Sequence, residues 1–117
     1  MYHYMKGLLV KQEIDRIILE NGGIGYDILT TSRSVQEFEE NKEVKVFTRL
    51  IVKDEEMILI GFSSQLELEV FDFLRTVSGV GIKSGLSILN TLDLSGLIRS
   101  IIDEDYKSLT AVSGIGK

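Results

Sequence analysis

The chain has 117 residues with no cysteine, proline or tryptophan and a formal charge of −5. The missing cysteine excludes a disulfide framework, a thiolate metal site and a cysteine nucleophile, and the single histidine, His3, leaves neither a His-rich metal centre nor a plausible Ser-His-Asp triad. At 44% hydrophobic and 26% charged residues the chain is composed to fold. No apolar run approaches the ~20 residues that cross a bilayer, and residues 1–6 lack a signal-peptide layout. A soluble cytoplasmic protein is expected, with no membrane partner, and the acidic balance disfavours indiscriminate binding to polyanions.

The first half reads as strands. Tyr4–Val10 and Arg16–Glu20 are β-rich runs, followed by the turn Asn21-Gly22-Gly23 and a third run, Gly25–Leu29. Ser34-Val35-Gln36-Glu37 has the Ser-x-x-Glu spacing of a capping box and predicts a short helical turn. Glu43–Val52 alternates, with Val44, Val46 and Thr48 on one face and Lys45, Phe47 and Arg49 on the other. A polar tip, Lys53-Asp54-Glu55-Glu56, leads into a fifth run, Met57–Phe62. Five short strands punctuated by turns predict a small barrel.

Beyond residue 64 the pattern becomes helical. Ser64-Gln65-Leu66-Glu67 is a second capping box, and Leu66, Val70, Phe71 and Leu74 follow on one predicted face. Ser78-Gly79-Val80-Gly81 stops that helix, and Lys83–Thr91 carries Leu86 and Leu89 on one side. Asp93 can cap a third helix through Asp103, with Leu97, Ile98, Ile101 and Ile102 apolar, and Asp103 or Asp105 a fourth ending near Val112. Residues 1–64 carry −3 and residues 65–117 carry −2, so neither half is basic. Domains of roughly 55–65 residues are marginal alone, so the halves are expected to pack on each other or on copies of themselves.

The most informative feature is a repeat. Val77-Ser78-Gly79-Val80-Gly81 returns 35 residues on as Val112-Ser113-Gly114-Ile115-Gly116, with Lys83 and Lys117 close behind. Gly-apolar-Gly between helices has a physical meaning. The first glycine permits the left-handed residue that ends a helix, the apolar residue tucks between the helices, and the second glycine lets the backbone approach a ligand. The amides opening the next helix then form an anion site suited to phosphate. This is the helix-hairpin-helix arrangement, which grips a nucleic-acid backbone through amides and needs little net positive charge. The candidate contacts are Gly79, Val80, Gly81, Ile82, Lys83 and Ser84 in the first copy, and Gly114, Ile115, Gly116 and Lys117 in the second. The plainer reading, a helical hairpin with a glycine cap, does not by itself demand Gly-apolar-Gly twice. A dinucleotide fingerprint would need glycine at Ser84 and a preceding strand, and a Walker A motif would need glycine at Ala111 and Ser or Thr after Lys117.

Gly22-Gly23-Ile24-Gly25-Tyr26, the run from Lys53 to Phe62 (KDEEMILIGF) and the two glycine motifs, in this order, resemble the RuvA family of Holliday-junction-binding subunits. The resemblance covers essentially the whole chain. It implies an α+β fold: an N-terminal five-stranded OB-fold β-barrel at 1–64, for oligomerisation, followed by an all-helical domain with tandem helix-hairpin-helix motifs at 65–117. It further implies a homotetramer, or an octamer, whose concave face holds four-way junction DNA, and an acidic pin at Asp54 and Glu55 with Glu56 an additional acid. A RuvB ATPase motor and a RuvC resolvase are the implied partners. No cofactor and no catalytic residue are implied. The chain departs from the family pattern at Ile82, where proline is usual, and at Lys117, where it stops within the second motif. The motor-binding third domain is therefore expected to be absent.

Other features admit two readings. His3 beside Tyr2 and Tyr4 is a base-stacking group or an exposed terminus. Tyr26, Phe47 and Phe62 are stacking platforms or core, and Phe71, Phe73 and Leu74 are helical core. Asp27 with the 54–56 carboxylates could be imagined as a Mg²⁺ nuclease site, although nothing at defined spacing activates a nucleophile. Lys45, Arg49 and Lys53 form a basic strip or an ordinary exposed strand face. The rival functions are a helix-hairpin-helix DNA-repair enzyme domain or subunit and a protein-interaction module.

Overall fold

The structure is a computed structural model that describes residues 2–91 and 94–102. Five strands come first, β1 (Tyr4–Gln12), β2 (Arg16–Asn21), β3 (Ile24–Leu29), β4 (Glu43–Lys53) and β5 (Glu56–Phe62), with α1 (Ser32–Glu37) between β3 and β4. Three helices follow, α2 (Gln65–Leu74), α3 (Ile82–Thr91) and α4 (Leu94–Ile102). The chain divides into two compact units, Met1–Leu68 and Glu69–Lys117.

In the first unit the strands close in the order β1-β2-β3-β5-β4, with β4 returning to β1. Every pairing is antiparallel except β3 with β5, which is parallel and registered at Leu29 and Ile60. The inward positions make the core: Leu9, Ile17, Leu19, Ile28, Val46 and Phe38, with Ile60 and Phe62 also fully buried. The β1–β2 register slips between Leu9 and Lys11, a bulge of the kind that bends strands into a barrel. Gly22 and Gly23 both have positive φ (61° and 83°), as a two-residue hairpin loop with right-handed twist requires. Gly61 is a different case: a side chain there would run into Val46 and Ile28 across the barrel interior.

Several sequence expectations shift by a residue or two. β4 alternates as expected from Val44 to Thr48, but further along Ile51, on the opposite face, is the buried residue. β5 begins at Glu56 rather than Met57, so the hairpin loop is only Asp54 and Glu55. α1 begins at Ser32 and its N-cap is Thr31, not Ser34. Ser34 sits in the third helical position, where its N–H donates to the Thr31 hydroxyl at 3.2 Å. The other end of α1 is held by Gln12, whose side-chain amide donates to the Val35 and Phe38 carbonyls at 2.9 and 3.0 Å.

In the helices, Val70, Phe71 and Leu74 are buried as expected, but Leu66 is 49% exposed. At about 100° per residue the buried stripe of α2 centres near Glu67, which leaves Leu66 on its flank. In α3 the buried positions are Gly85, Ile88 and Leu89, while Leu86 is half-buried. A side chain on Gly85 would meet the Phe71 ring at 3.0 Å, so α3 offers bare backbone to that ring. Asp93 and the expected fourth helix lie outside the described residues. No described helix is long and apolar enough to cross a membrane.

Candidate nucleic-acid interface

The α2–α3 connection is built from two glycines with different duties. After Leu74 the backbone tightens, with Thr76 N–H bonded to Phe73 O and Val77 N–H to Leu74 O. A turn follows in which Val80 N–H donates to Val77 O at 3.1 Å, with Gly79 at φ 87°. A positive φ at the third turn position calls for glycine. Val80 is buried and reaches toward Gly85 of α3. Gly81 is exposed, has no positive φ, and faces open space where a Cβ would stand. Its carbonyl accepts the Gly85 N–H at 2.9 Å, which makes Gly81 the N-cap of α3. The amides of Ile82, Lys83 and Ser84 therefore occupy the first turn, where a helix supplies no partner of its own. Gly79 is conformational and Gly81 is spatial. The Lys83 side chain is exposed, and Ile82 and Ser84 are half-buried. Gly114, Ile115, Gly116 and Lys117 lie outside the described residues.

The acidic tip belongs to the barrel unit. Lys53 pairs with Glu56 and Val52 with Met57, leaving Asp54 and Glu55 as the loop. Asp54 has φ 55°, a left-handed conformation that Asp and Asn tolerate best after glycine. Asp54, Glu55 and Glu56 are all exposed, and so are the apolar side chains of Val52 and Met57 at the base of the tip. Asp27 is elsewhere engaged: it pairs with Arg16 at 3.0 Å across β2 and β3. Along the basic strip, Lys45 and Lys53 are exposed and Arg49 is half-buried. Of the candidate stacking residues, Phe62 is fully buried, Tyr26 and Phe47 are half-buried, and His3 is exposed edge-on to Tyr4.

One cluster was not foreseen. Glu67 is only 1% exposed, yet its carboxylate accepts three hydrogen bonds: from Ser34 Oγ at 2.6 Å, Thr31 Oγ1 at 2.8 Å and Arg33 Nη1 at 3.2 Å. Ser34 Oγ in turn accepts the Ser63 N–H at 2.8 Å, and Glu67 N–H donates to Ser64 Oγ at 3.1 Å. Ser64 thus caps α2 as its spacing predicts, but the carboxylate turns away to α1 instead of reaching back. The available signal was the position of Glu67 at the centre of an otherwise apolar stripe.

The closure and strand order define the barrel unit as an OB-type barrel carrying an exposed carboxylate hairpin. Residues 1–61 match the family described as the RuvA N terminal domain, and the chain belongs to that family. Across its whole length the chain is 40% identical to the Holliday junction branch migration complex subunit RuvA of Clostridium tetani, of which it covers 60%. It is 38% identical to the subunit of the same name from Thermus thermophilus and 40% identical to that from Chlamydia caviae, covering 61% and 58% of them. The chain therefore spans about three-fifths of the length of these relatives.

Proposed function

We propose that the chain is a non-catalytic, structure-specific DNA-binding scaffold that holds a four-way junction for a separate ATPase motor. Residues 1–64 serve as the assembly barrel with its acidic pin, and residues 65–117 as the helix-hairpin-helix domain. The observation that carries the reading is the α2–α3 turn. Gly81 caps α3 and has open space at its own Cβ position, and a helix start of this kind is a phosphate site that works without net positive charge. Gly79, Val80, Gly81, Ile82, Lys83 and Ser84 are its contacts, with Gly114 to Lys117 supplying a second set. Asp54 and Glu55 stand at the crossover, where carboxylates near phosphates oppose re-pairing. The scaffold works as a homotetramer or octamer in the cytoplasm, with RuvB as motor and RuvC as resolvase, and it uses no cofactor.

Amide contacts to phosphates carry no base code, so selectivity comes from shape. In a gel shift at equal salt, a four-way junction is expected to bind at least tenfold more tightly than a linear duplex of equal length. Equal affinities would overturn the reading in favour of a generic duplex binder or repair-enzyme module. Absence of binding to either would favour a protein-interaction module.

A further inference from the structure

We propose that the outer face of the β1–β4 seam is a separate contact for single-stranded nucleic acid, in which bases stack on Tyr4 and its neighbouring rings and phosphates meet Lys6 and Lys45. The first observation is a like-charge pair. Lys6 and Lys45 are directly opposed across β1 and β4, and both are exposed. Facing like charges weaken a sheet. Here neither ammonium is paired with a carboxylate among the described residues. The Lys45 ammonium instead lies 4.2 Å from the centroid of the Tyr4 ring and 5.2 Å from that of Phe47. A cation held by rings keeps its charge available to an anion.

The second observation is the rings themselves. Tyr2 and Tyr4 are 50% and 49% exposed, and His3 stands edge-on to Tyr4 at 6.1 Å. They are not on a loose end. Thr48 N–H donates to the His3 carbonyl at 3.0 Å and Thr48 Oγ1 to the Tyr2 carbonyl at 2.7 Å, so β4 pins this backbone. Exposed aromatic rings on a fixed backbone beside unpaired cations are the elements of a single-strand stacking platform. An acidic peptide would satisfy the two ammoniums but leave four rings without a flat partner. The patch is bounded at the next rung, where Glu20 and Glu43 both register with Leu8. This contact belongs to the barrel unit, shares no residue with the α2–α3 turn, and stands whether or not that turn binds junctions.

The test is fluorescence anisotropy of a labelled fifteen-nucleotide oligo(dT) with the intact protein, alongside junction and linear-duplex gel shifts on the same samples. The wild type is expected to bind the oligomer. Tyr4→Ala is expected to weaken it about tenfold while changing linear-duplex affinity less than twofold, and Tyr4→Phe is expected to restore it. Lys6→Gln with Lys45→Gln is expected to lower the salt slope by about 1.4, at about 0.7 per phosphate on a single strand. A wild type that ignores the oligomer overturns the proposal, even if junction binding is intact. Displacement of the strand by oligoglutamate as readily as by unlabelled oligo(dT) overturns it in favour of an acidic peptide. A Tyr4→Ala protein with altered mass in light scattering and unchanged strand affinity overturns it in favour of a contact between copies. A lost junction preference with intact oligomer binding leaves the patch standing and removes the α2–α3 reading instead.

Discussion

Three donors converge on the two oxygens of Glu67, and two of them, the Thr31 and Ser34 hydroxyls, belong to buried residues. A buried carboxylate so satisfied is tolerable, whereas removing it strands its donors. Glu67→Ala is expected to destabilise the fold by about 3–5 kcal/mol in urea denaturation. Arg33→Ala is expected to cost about 1 kcal/mol or less, because Arg33 is partly solvated and its attraction is screened. Comparable costs for the two would mean that the guanidinium, not the hydroxyl pair, holds the carboxylate. The two glycines of the α2–α3 turn separate in the same residue-by-residue way. Gly79→Ala forces a side chain into φ 87° and is expected to cost roughly 1–2 kcal/mol of stability. Gly81→Asp places a good N-cap side chain where nothing obstructs it. Its melting temperature is expected to hold or rise, while its carboxylate takes the amides meant for phosphate and weakens junction binding by roughly 1.5–3 kcal/mol per contact. A Gly81→Asp protein with full junction affinity would exclude the turn from the interface.

The β4–β5 hairpin is the element on which the pin reading depends. Its loop keeps Asp54 at φ 55°, and asparagine suits that conformation as well as aspartate does. Asp54→Asn with Glu55→Gln therefore removes two charges without unmaking the hairpin. Each exposed carboxylate facing phosphate opposes binding by roughly 1 kcal/mol or less under physiological screening. The double variant is expected to bind a junction as tightly as the wild type or more so, and to change the fluorescence of 2-aminopurine placed at the crossover. An unchanged signal at both readouts would mark the tip as ordinary solvated loop. The strands were legible because period-two alternation survives wherever one face is buried, as Val44, Val46 and Thr48 illustrate. The burial of Ile51 was not legible, since the β4–β5 register runs unbroken from Phe47 to Lys53 and Ile51 lies on the face opposite Val46 and Thr48, which alternation marks as outward. The two Ser-x-x-Glu runs show the same limit. Ser64 caps its helix, but α1 starts earlier than the other Ser-x-x-Glu run suggests, so Thr31 caps it and Ser34 falls in its first turn with its hydroxyl on Glu67. The glycine motif was legible as a turn, but the separate duties of Gly79 and Gly81 required backbone angles and the space beside each residue.

For the whole molecule, a small barrel that leaves Ile14, Ile24, Val52 and Met57 exposed has apolar surface to cover. The proposed four-armed ligand would be matched by a four-fold assembly of identical subunits. Light scattering at micromolar concentration in physiological salt is expected to give four times the protomer mass or a multiple of it. A monomer under those conditions would argue that this length of chain does not assemble by itself.

The barrel is closed unevenly, and this bears on how it opens. Four of its seams are long antiparallel ladders, while β3 and β5 meet in parallel at the single registered pair Leu29 and Ile60. Just beyond those strand ends stand Thr31, which donates to Glu67 directly, and Ser63, which is joined to Glu67 through Ser34. The carboxylate thus latches the weakest joint of the barrel. Partial opening should begin there, and amide hydrogen exchange should be fastest along facing β3 and β5 among the paired strands. When the latch fails, two strand edges are bared at once, each with unanswered N–H and C=O groups that can recruit another chain. A defect at Glu67 would then appear in a cell first as aggregation of a protein whose α2–α3 turn and acidic hairpin are intact.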